Sequence, residues 1–347
     1  MMTMDRRFVD TLLKGWDRKI VTKEECKYLL SFDERSDEAI FAASLADRFL
    51  RTISDNTAIL NAQIGVQTGP CSGNCRFCNF NRTTYRYGHY LMDDDTLTTH
   101  VRKLTRHNDL RTISLMTTHD LDLDHLIRCI RLTKNIAGKD VRITVNTGDV
   151  TYDECLEMKK AGASGAYHAC RMNEGKDTDL EPGSRIETIR NYLDAGFIVS
   201  TCTEPIGPET TIDDILDNFF MGMEIGVNSG SLMARVPVPG TPMSAMGMIS
   251  SERFKFIRSV LFLSSTWYKK EPCIDIWDGG FFNGFNRFHA ELGGNPRDDE
   301  KESENGIGHT IEFARRMAFA NNYDKLLLPD NNRIALNVDY LMRTGSI

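Results

Sequence analysis

The sequence predicts an α/β chain folded as a (β/α)8 barrel of the TIM type. Three observations predict it. Short β-branched or apolar runs alternate with amphipathic helical stretches from Asn61 onward. About eight such runs fall within roughly 240 residues, the scale of one closed barrel. Glycines recur where the helical stretches should stop, as at Gly138, Gly162 and Gly196. Strands that alternate with helices pair in parallel, which is the βαβ arrangement. A partial barrel of about six units is the alternative architecture.

The elements follow in order. Phe8, Leu12, Leu13 and Trp16 recur at helical spacing, Thr22 before Glu24 and Glu25 reads as a second helix start, and Ala39 to Leu50 reads as a third helix. Strands are expected at Ala62–Gln67, Thr112–Thr117, Arg142–Asn146, Gly165–Ala169, Ile198–Thr203, Ser229–Pro237, Cys273–Trp277 and Arg287–Leu292. Between them, Leu97, Val101 and Leu104 form one helical stripe and Leu126, Ile127 and Ile130 another. Ile186, Ile189 and Leu193 form a third, and Ile212, Ile215, Leu216 and Phe219 a fourth. Ile311 to Asn321 reads as a last helix, followed by a polar tail with no assigned structure. The expected organisation is a helical extension over 1–55, the barrel over 56–304 and a C-terminal helix and tail over 305–347.

Composition narrows the function. The 347 residues are 41% hydrophobic and 26% charged, which is globular, and the net charge of −7 argues against a nucleic-acid partner. The longest apolar runs are about four residues, as in Val260 to Leu263, against roughly 20 for a membrane helix. The first apolar stretch carries Asp5, Arg6, Arg7 and Asp10, so it does not read as a secretory signal, and a cytoplasmic location is expected. Cysteines number nine. An odd count in such a chain speaks against a disulfide framework.

Three cysteines cluster. Gly69-Pro70-Cys71-Ser72-Gly73-Asn74-Cys75-Arg76-Phe77-Cys78 follows the first strand with spacing Cys-x3-Cys-x2-Cys. A structural zinc site would need a fourth ligand, such as His89 or His100. Buried packing cysteines suit a Gly-rich loop poorly. A cubane iron–sulfur cluster held by three thiolates leaves one iron without a protein ligand, open to a small molecule.

With Phe77 just before the third cysteine, this segment resembles the radical S-adenosylmethionine (SAM) superfamily. The resemblance implies a [4Fe–4S] cluster on Cys71, Cys75 and Cys78, with the methionyl end of SAM on the open iron. It implies reductive SAM cleavage to a 5′-deoxyadenosyl radical that takes hydrogen from a small-molecule substrate. It also implies a one-electron reductant such as flavodoxin or ferredoxin. Over most of the barrel the sequence is similar to the branch containing biotin synthase, the hydrogenase maturase HydE and 3-methylornithine synthase. Within that branch, Tyr167 to Glu174 at the end of the fourth strand implies Arg171 and Glu174 at the methionyl group. Glu204-Pro205-Ile206-Gly207-Pro208-Glu209 resembles the fifth-strand region, with Ile206 on adenine and Gly207 giving close backbone approach. Glu204 stands where the family has glycine, so its carboxylate is expected at a ribose or at the substrate. Val238 to Pro242 and Ala290 to Asp298 resemble turns that shape the barrel mouth.

The sequence also departs from biotin synthase. That enzyme holds a second, sulfur-donating cluster through cysteines on its second and third strands. Here those strands read Ile113-Ser114-Leu115-Met116-Thr117 and Ile143-Thr144-Val145-Asn146, without cysteine. A cofactor-biosynthesis or hydrogenase-maturase role, HydE-like or HmdB-like, is therefore expected over sulfur insertion. Sulfur insertion through a different auxiliary site and a zinc-binding barrel hydrolase are the alternatives. An iron–sulfur carrier without radical chemistry would need a fourth protein ligand. Cys170 and Cys202, with His168, could face the mouth and hold a second metal or fill barrel layers. Ser114, Thr117, Thr144, Asn146, Arg235 and Asp275 are candidate cavity residues, and His119 and Asp120 follow the second strand.

Overall fold

The computed structural model describes residues 4–266 and 285–347. Three helices come first: α1 (Arg6–Trp16), α2 (Lys23–Leu29) and α3 (Asp37–Ser54). The anticipated start at Thr22 is a capping box, in which Thr22 accepts from the Glu25 amide and Glu25 accepts from the Thr22 amide. Next come β1 (Thr57–Gly65), a small ribbon of β2 (Gln67–Thr68) and β3 (Tyr90–Leu91), and then α4 (Asp94–Thr105) and β4 (Leu110–Met116). The alternation continues with α5 (Leu123–Ala137), β5 (Arg142–Asn146), α6 (Tyr152–Ala161), β6 (Gly165–Tyr167), α7 (Pro182–Asp194), β7 (Ile198–Ile206), α8 (Ile212–Ile225), β8 (Ser229–Ala234), α9 (Ser251–Ser264) and β9 (Arg287–Gly293).

Among the described residues, seven strands pair in parallel in the order β9-β1-β4-β5-β6-β7-β8. This is a curled parallel sheet of the TIM-barrel type with its helices outside. Each of the seven answers to an expected strand. The eighth, Cys273–Trp277, lies outside the described residues. Because all strands run the same way, the loops that follow them gather at one end, which we call the mouth.

Two elements depart from the sequence reading. Helix α9 contains the run Val260 to Leu263 and is buried on nearly every face, from Phe256 to Ser264. It lies between the barrel and α1 and α3, with Phe49 stacking edge-on against Phe262 at 5.8 Å. A helix covered on both sides has no polar face, so it shows no amphipathic stripe. The stretch after α10 (Ile311–Ala320) is not a tail. It forms β10 (Lys325–Leu327), parallel to the start of β1, then β11 (Arg333–Ala335), antiparallel to β10, and α11 (Val338–Arg343). Arg315 of α10 and Asp109 are both fully buried and bond at 2.7 and 3.1 Å, and Tyr340 of α11 also donates to Asp109. Strands of three residues are too short to show a period, and a long-range ion pair leaves no local signature.

Candidate active site

The cysteine loop sits at the mouth, directly after β1 and β2, and is anchored from several sides. The Ser72 amide donates to the Asp120 carboxylate at 2.6 Å, after β4. The Arg76 amide donates to the Asp177 carbonyl at 2.9 Å, after β6. The Arg76 carbonyl accepts from the Met243 amide at 3.0 Å, after β8, and the Asn79 amide donates to the Pro296 carbonyl at 2.7 Å, after β9. Within the loop the Asn81 amide group donates to the carbonyls of Asn74 and Cys75 at 3.0 and 3.1 Å. The turns at 238–242 and 290–298 thus clamp the loop. At the same end Gly65 meets Gly294 so closely that a Cβ on Gly65 would lie 2.0 Å from the Gly294 carbonyl oxygen.

The sulfurs are prepared as acceptors. The His119 amide donates to Cys71 Sγ and the Phe80 amide to Cys78 Sγ, each at 3.3 Å. A Cβ on Gly148 would strike the His119 carbonyl oxygen at 2.1 Å, so glycine is what lets the His119 segment sit where it does. Burial pushes the Cys75 thiol up to about 11 and the Cys78 thiol well above its usual range. Bare, these thiols stay protonated. Coordination to a cation reverses that preference.

Beside the loop lies a cavity of about 200 Å³ inside the barrel. Cys75, Cys78, Phe77 and Arg171 line it at the mouth, and so do Tyr167 and Glu204. Arg171 Nε lies 3.0 Å from a Glu204 carboxylate oxygen, and its guanidinium carbon lies 6.0 Å from the Phe77 ring centre. These two side chains are 19% and 8% exposed, so the pair is largely dry. Burial opposes the Arg171 charge, but Glu204 and Glu174 outweigh it and hold the guanidinium firmly protonated.

The other anticipated residues fall elsewhere. Glu174 is buried behind Arg171. It accepts from the Arg171 amide at 2.9 Å and from the Thr178 hydroxyl at 2.7 Å, so it staples the loop. Ile206 is fully buried in the hydrophobic core, and Gly207 packs against Arg235 with its amide on Thr210 Oγ1. Neither lines the cavity, although Glu204 does. The register of β7 on β8 shifts between Thr203 and Ile206, so simple alternation from Glu204 fails there. Ser114, Thr144, Asn146 and Arg235 do line the cavity, whereas Thr117 donates to the Thr118 carbonyl. Asp275 and Cys273 lie outside the described residues. The Cys170 sulfur faces the Pro182 carbonyl rather than the cavity. Cys202 is buried on β7 between two cavity residues, Ser200 and Glu204. Cys26, Cys129 and Cys155 are buried in α2, α5 and α6.

Sequence reasoning missed Arg142, Arg287, His289 and Arg297, which also line the cavity. A signal was present. The strands read Asn61-x-Gln63, Arg142-x-Thr144-x-Asn146, Ser229-x-Ser231 and Arg287-x-His289-x-Glu291. Parallel barrel strands are buried on both faces and ordinarily read as apolar throughout. Polar residues at every second position therefore mark the strand face that lines the cavity.

Comparison with known proteins agrees with this geometry. Residues 67–221 match the radical SAM superfamily. Biotin synthase from a Hydrogenobaculum species is 25% identical over 253 residues, 69% of this chain and 74% of that protein. Biotin synthase from Acetivibrio thermocellus is 26% identical over 251 residues, 67% and 74% of the two. In fold the chain is similar to methylornithine synthase (PylB), with a TM-score of 0.69, 17% identity and coverage of 80% and 85%. It is similar also to HydG, a maturase of the [FeFe]-hydrogenase, with a TM-score of 0.72, 15% identity and coverage of 91% and 75%. Residues 67–221 thus resemble a radical SAM domain, both of these sequence relatives are biotin synthases, and the likeness to PylB and HydG is one of fold. The cofactors of that family are a [4Fe–4S] cluster and S-adenosylmethionine, and its members take small-molecule substrates and electron donors. Among the described residues, no helix is long and apolar enough to cross a membrane.

Proposed function

We propose that this protein is a radical SAM enzyme acting on a small molecule inside its barrel, in cofactor biosynthesis or hydrogenase-cofactor maturation. The observation that carries this reading is the cysteine loop, whose Cys75 and Cys78 open onto a barrel cavity beside the Arg171–Glu204 pair. When bound, the cluster and SAM together supply a 5′-deoxyadenosyl radical able to take hydrogen from carbon. The donor set fits the cluster: three thiols and two inward N–H groups that stabilise thiolate charge.

The chain's own residues then have distinct tasks. Cys71, Cys75 and Cys78 hold the cluster. Arg171 presents a planar cation to the methionyl carboxylate, a geometry that ammonium groups do not offer. Glu204 and Phe77 fix the orientation of Arg171, and Glu174 fixes its backbone. Ile206 and Gly207 shape the wall from behind. A low-potential reductant such as flavodoxin or ferredoxin supplies the electron. Sulfur insertion is disfavoured because the wall positions on β4 and β5 are Ser114, Met116, Thr144 and Asn146.

Anaerobic reconstitution followed by electron paramagnetic resonance tests this reading. The reduced cluster should change its spectrum when SAM is added, since SAM would occupy the open iron. An unchanged spectrum at saturating SAM would overturn it.

A further inference from the structure

A buried side chain of the cysteine loop lacks the partner that its chemistry requires. Asn79 directly follows Cys78 and is 6% exposed. Its backbone is engaged, with the amide donating to the Pro296 carbonyl at 2.7 Å. Its side-chain Nδ2 is shielded from solvent and has no hydrogen-bond partner among the described residues. A buried amide that gives up water without gaining a partner costs free energy, and folded chains leave few such donors bare. An orphan of this kind marks a place where something other than the chain accepts the bond.

The oxygen acceptors of the loop are largely taken. The carbonyls of Cys71 and Ser72 accept from Arg82 at 3.2 and 2.7 Å. Those of Asn74 and Cys75 accept from the Asn81 side chain. The Gly73 carbonyl accepts from the Asp179 amide at 2.8 Å, and the Cys78 carbonyl from the Asn81 amide at 3.1 Å. Asn74 Oδ1 is itself without a partner, so the side chains of Asn74 and Asn79 do not bond to each other. The sulfurs are less fully served. Cys71 Sγ and Cys78 Sγ each accept one amide N–H, and Cys75 Sγ accepts none among the described residues. A four-iron cluster would turn these thiols into thiolates and add bridging sulfides, all acceptors for an N–H group.

We propose that the Asn79 carboxamide donates an N–H to a sulfur of the bound cluster and thereby makes the cluster easier to reduce. This rests on the iron–sulfur part of the radical SAM reading and adds a cofactor contact to it. Reduction adds one electron to the cluster and its thiolates, and no bond is made or broken. Part of the added negative charge falls on sulfur, where a hydrogen-bond donor stabilises it. The reduced state therefore gains more from the bond than the oxidised state does. The Phe80 amide on Cys78 Sγ acts in the same sense.

The test is a redox titration of the reconstituted, SAM-free protein with dithionite, read by electron paramagnetic resonance of the reduced cluster. Asn79→Leu keeps the side-chain shape without the donor. At the solution potential that half-reduces the natural protein, the ratio of reduced to oxidised cluster in Asn79→Leu should fall about three- to tenfold. Asn79→Gln keeps an amide and should recover part of that ratio. A second readout needs no cluster. In the metal-free protein the donor is bare, so Asn79→Leu should unfold at the same denaturant concentration as the natural chain or at a higher one. An Asn79 that serves only the fold would lower that midpoint and leave the redox ratio unchanged, and either result overturns the inference. If Asn79→Leu assembles no cluster, the natural protein labelled with a magnetic nitrogen isotope at its asparagine side chains decides. Pulsed resonance of its reduced cluster should show coupling to that nitrogen, and the absence of coupling overturns the inference. A natural protein that binds no cubane overturns this inference and the radical SAM reading together. A cubane whose spectrum ignores SAM overturns the radical SAM reading alone.

Discussion

Arg171 is the residue at which the proposed cofactor site and the stability of the fold meet. It stands between two carboxylates that are almost fully shielded, with Glu204 at 3.0 Å and Glu174 at 3.9 Å. Arg171→Gln removes the cation and leaves both acids behind. Breaking a buried ion pair from one side costs about 3–5 kcal/mol. Glu174 keeps Thr178 and a guanidinium contact from Arg185 at 3.8 Å, so the loss should fall near 3 kcal/mol, at the low end of that range. The double variant Arg171→Gln/Glu204→Gln removes the stranded charge and should recover part of that stability. SAM affinity should behave differently. A hydrogen bond to a charged group is worth about 1.5–3 kcal/mol, which is roughly tenfold to a hundredfold in Kd. Both variants should show that loss, since neither restores the cation. Denaturant unfolding reads the first quantity, and titration of SAM into the reconstituted, reduced protein reads the second. SAM affinity within threefold of the natural protein in Arg171→Gln, with an intact cluster, would refute the role given to Arg171.

Three further predictions follow from other parts of the molecule. Arg315→Met should destabilise the chain by about 3–5 kcal/mol by stranding Asp109, and Asp109→Leu added to it should restore much of that in chemical unfolding. His168 is fully buried against Asp149 and Arg185, and burial holds it neutral, with its pKa down at about 3. The unfolded chain protonates this histidine from about pH 6.5 downward while the folded chain does not. Its contribution is therefore present above that pH and is lost as pH falls, at up to about 1.4 kcal/mol per unit. Thermal melts between pH 7 and pH 5 should show a decline that is shallower in His168→Gln, and equal slopes would contradict this. Iron and sulfide analysis after reconstitution should give a single cubane that Cys71→Ala removes. A second cluster surviving that substitution would bring sulfur insertion back.

Much of the barrel was legible because local chemistry and fold agree. Gly138 and Gly162 end α5 and α6, Thr22 caps α2, and seven expected strands pair where their apolar runs predicted. The cysteine loop was legible because three thiols at fixed spacing have few other uses. What stayed hidden depends on tertiary context. Helix α9 lost its stripe by being covered on two sides. β10 and β11 are too short to carry a period. Ile206 left the cavity face through a register shift that no spacing rule records. The cavity residues Arg142, Arg287 and Arg297 were visible in the sequence, but their place in the lining depended on knowing which strand face turns inward.

The most direct measurement is product formation from SAM. The protein is reconstituted anaerobically with iron and sulfide, reduced, supplied with SAM and assayed for 5′-deoxyadenosine. The account predicts that this product appears and that Cys75→Ala abolishes it. A fully reduced, well-formed cluster that yields none, or stoichiometric zinc in place of the cluster, would contradict it.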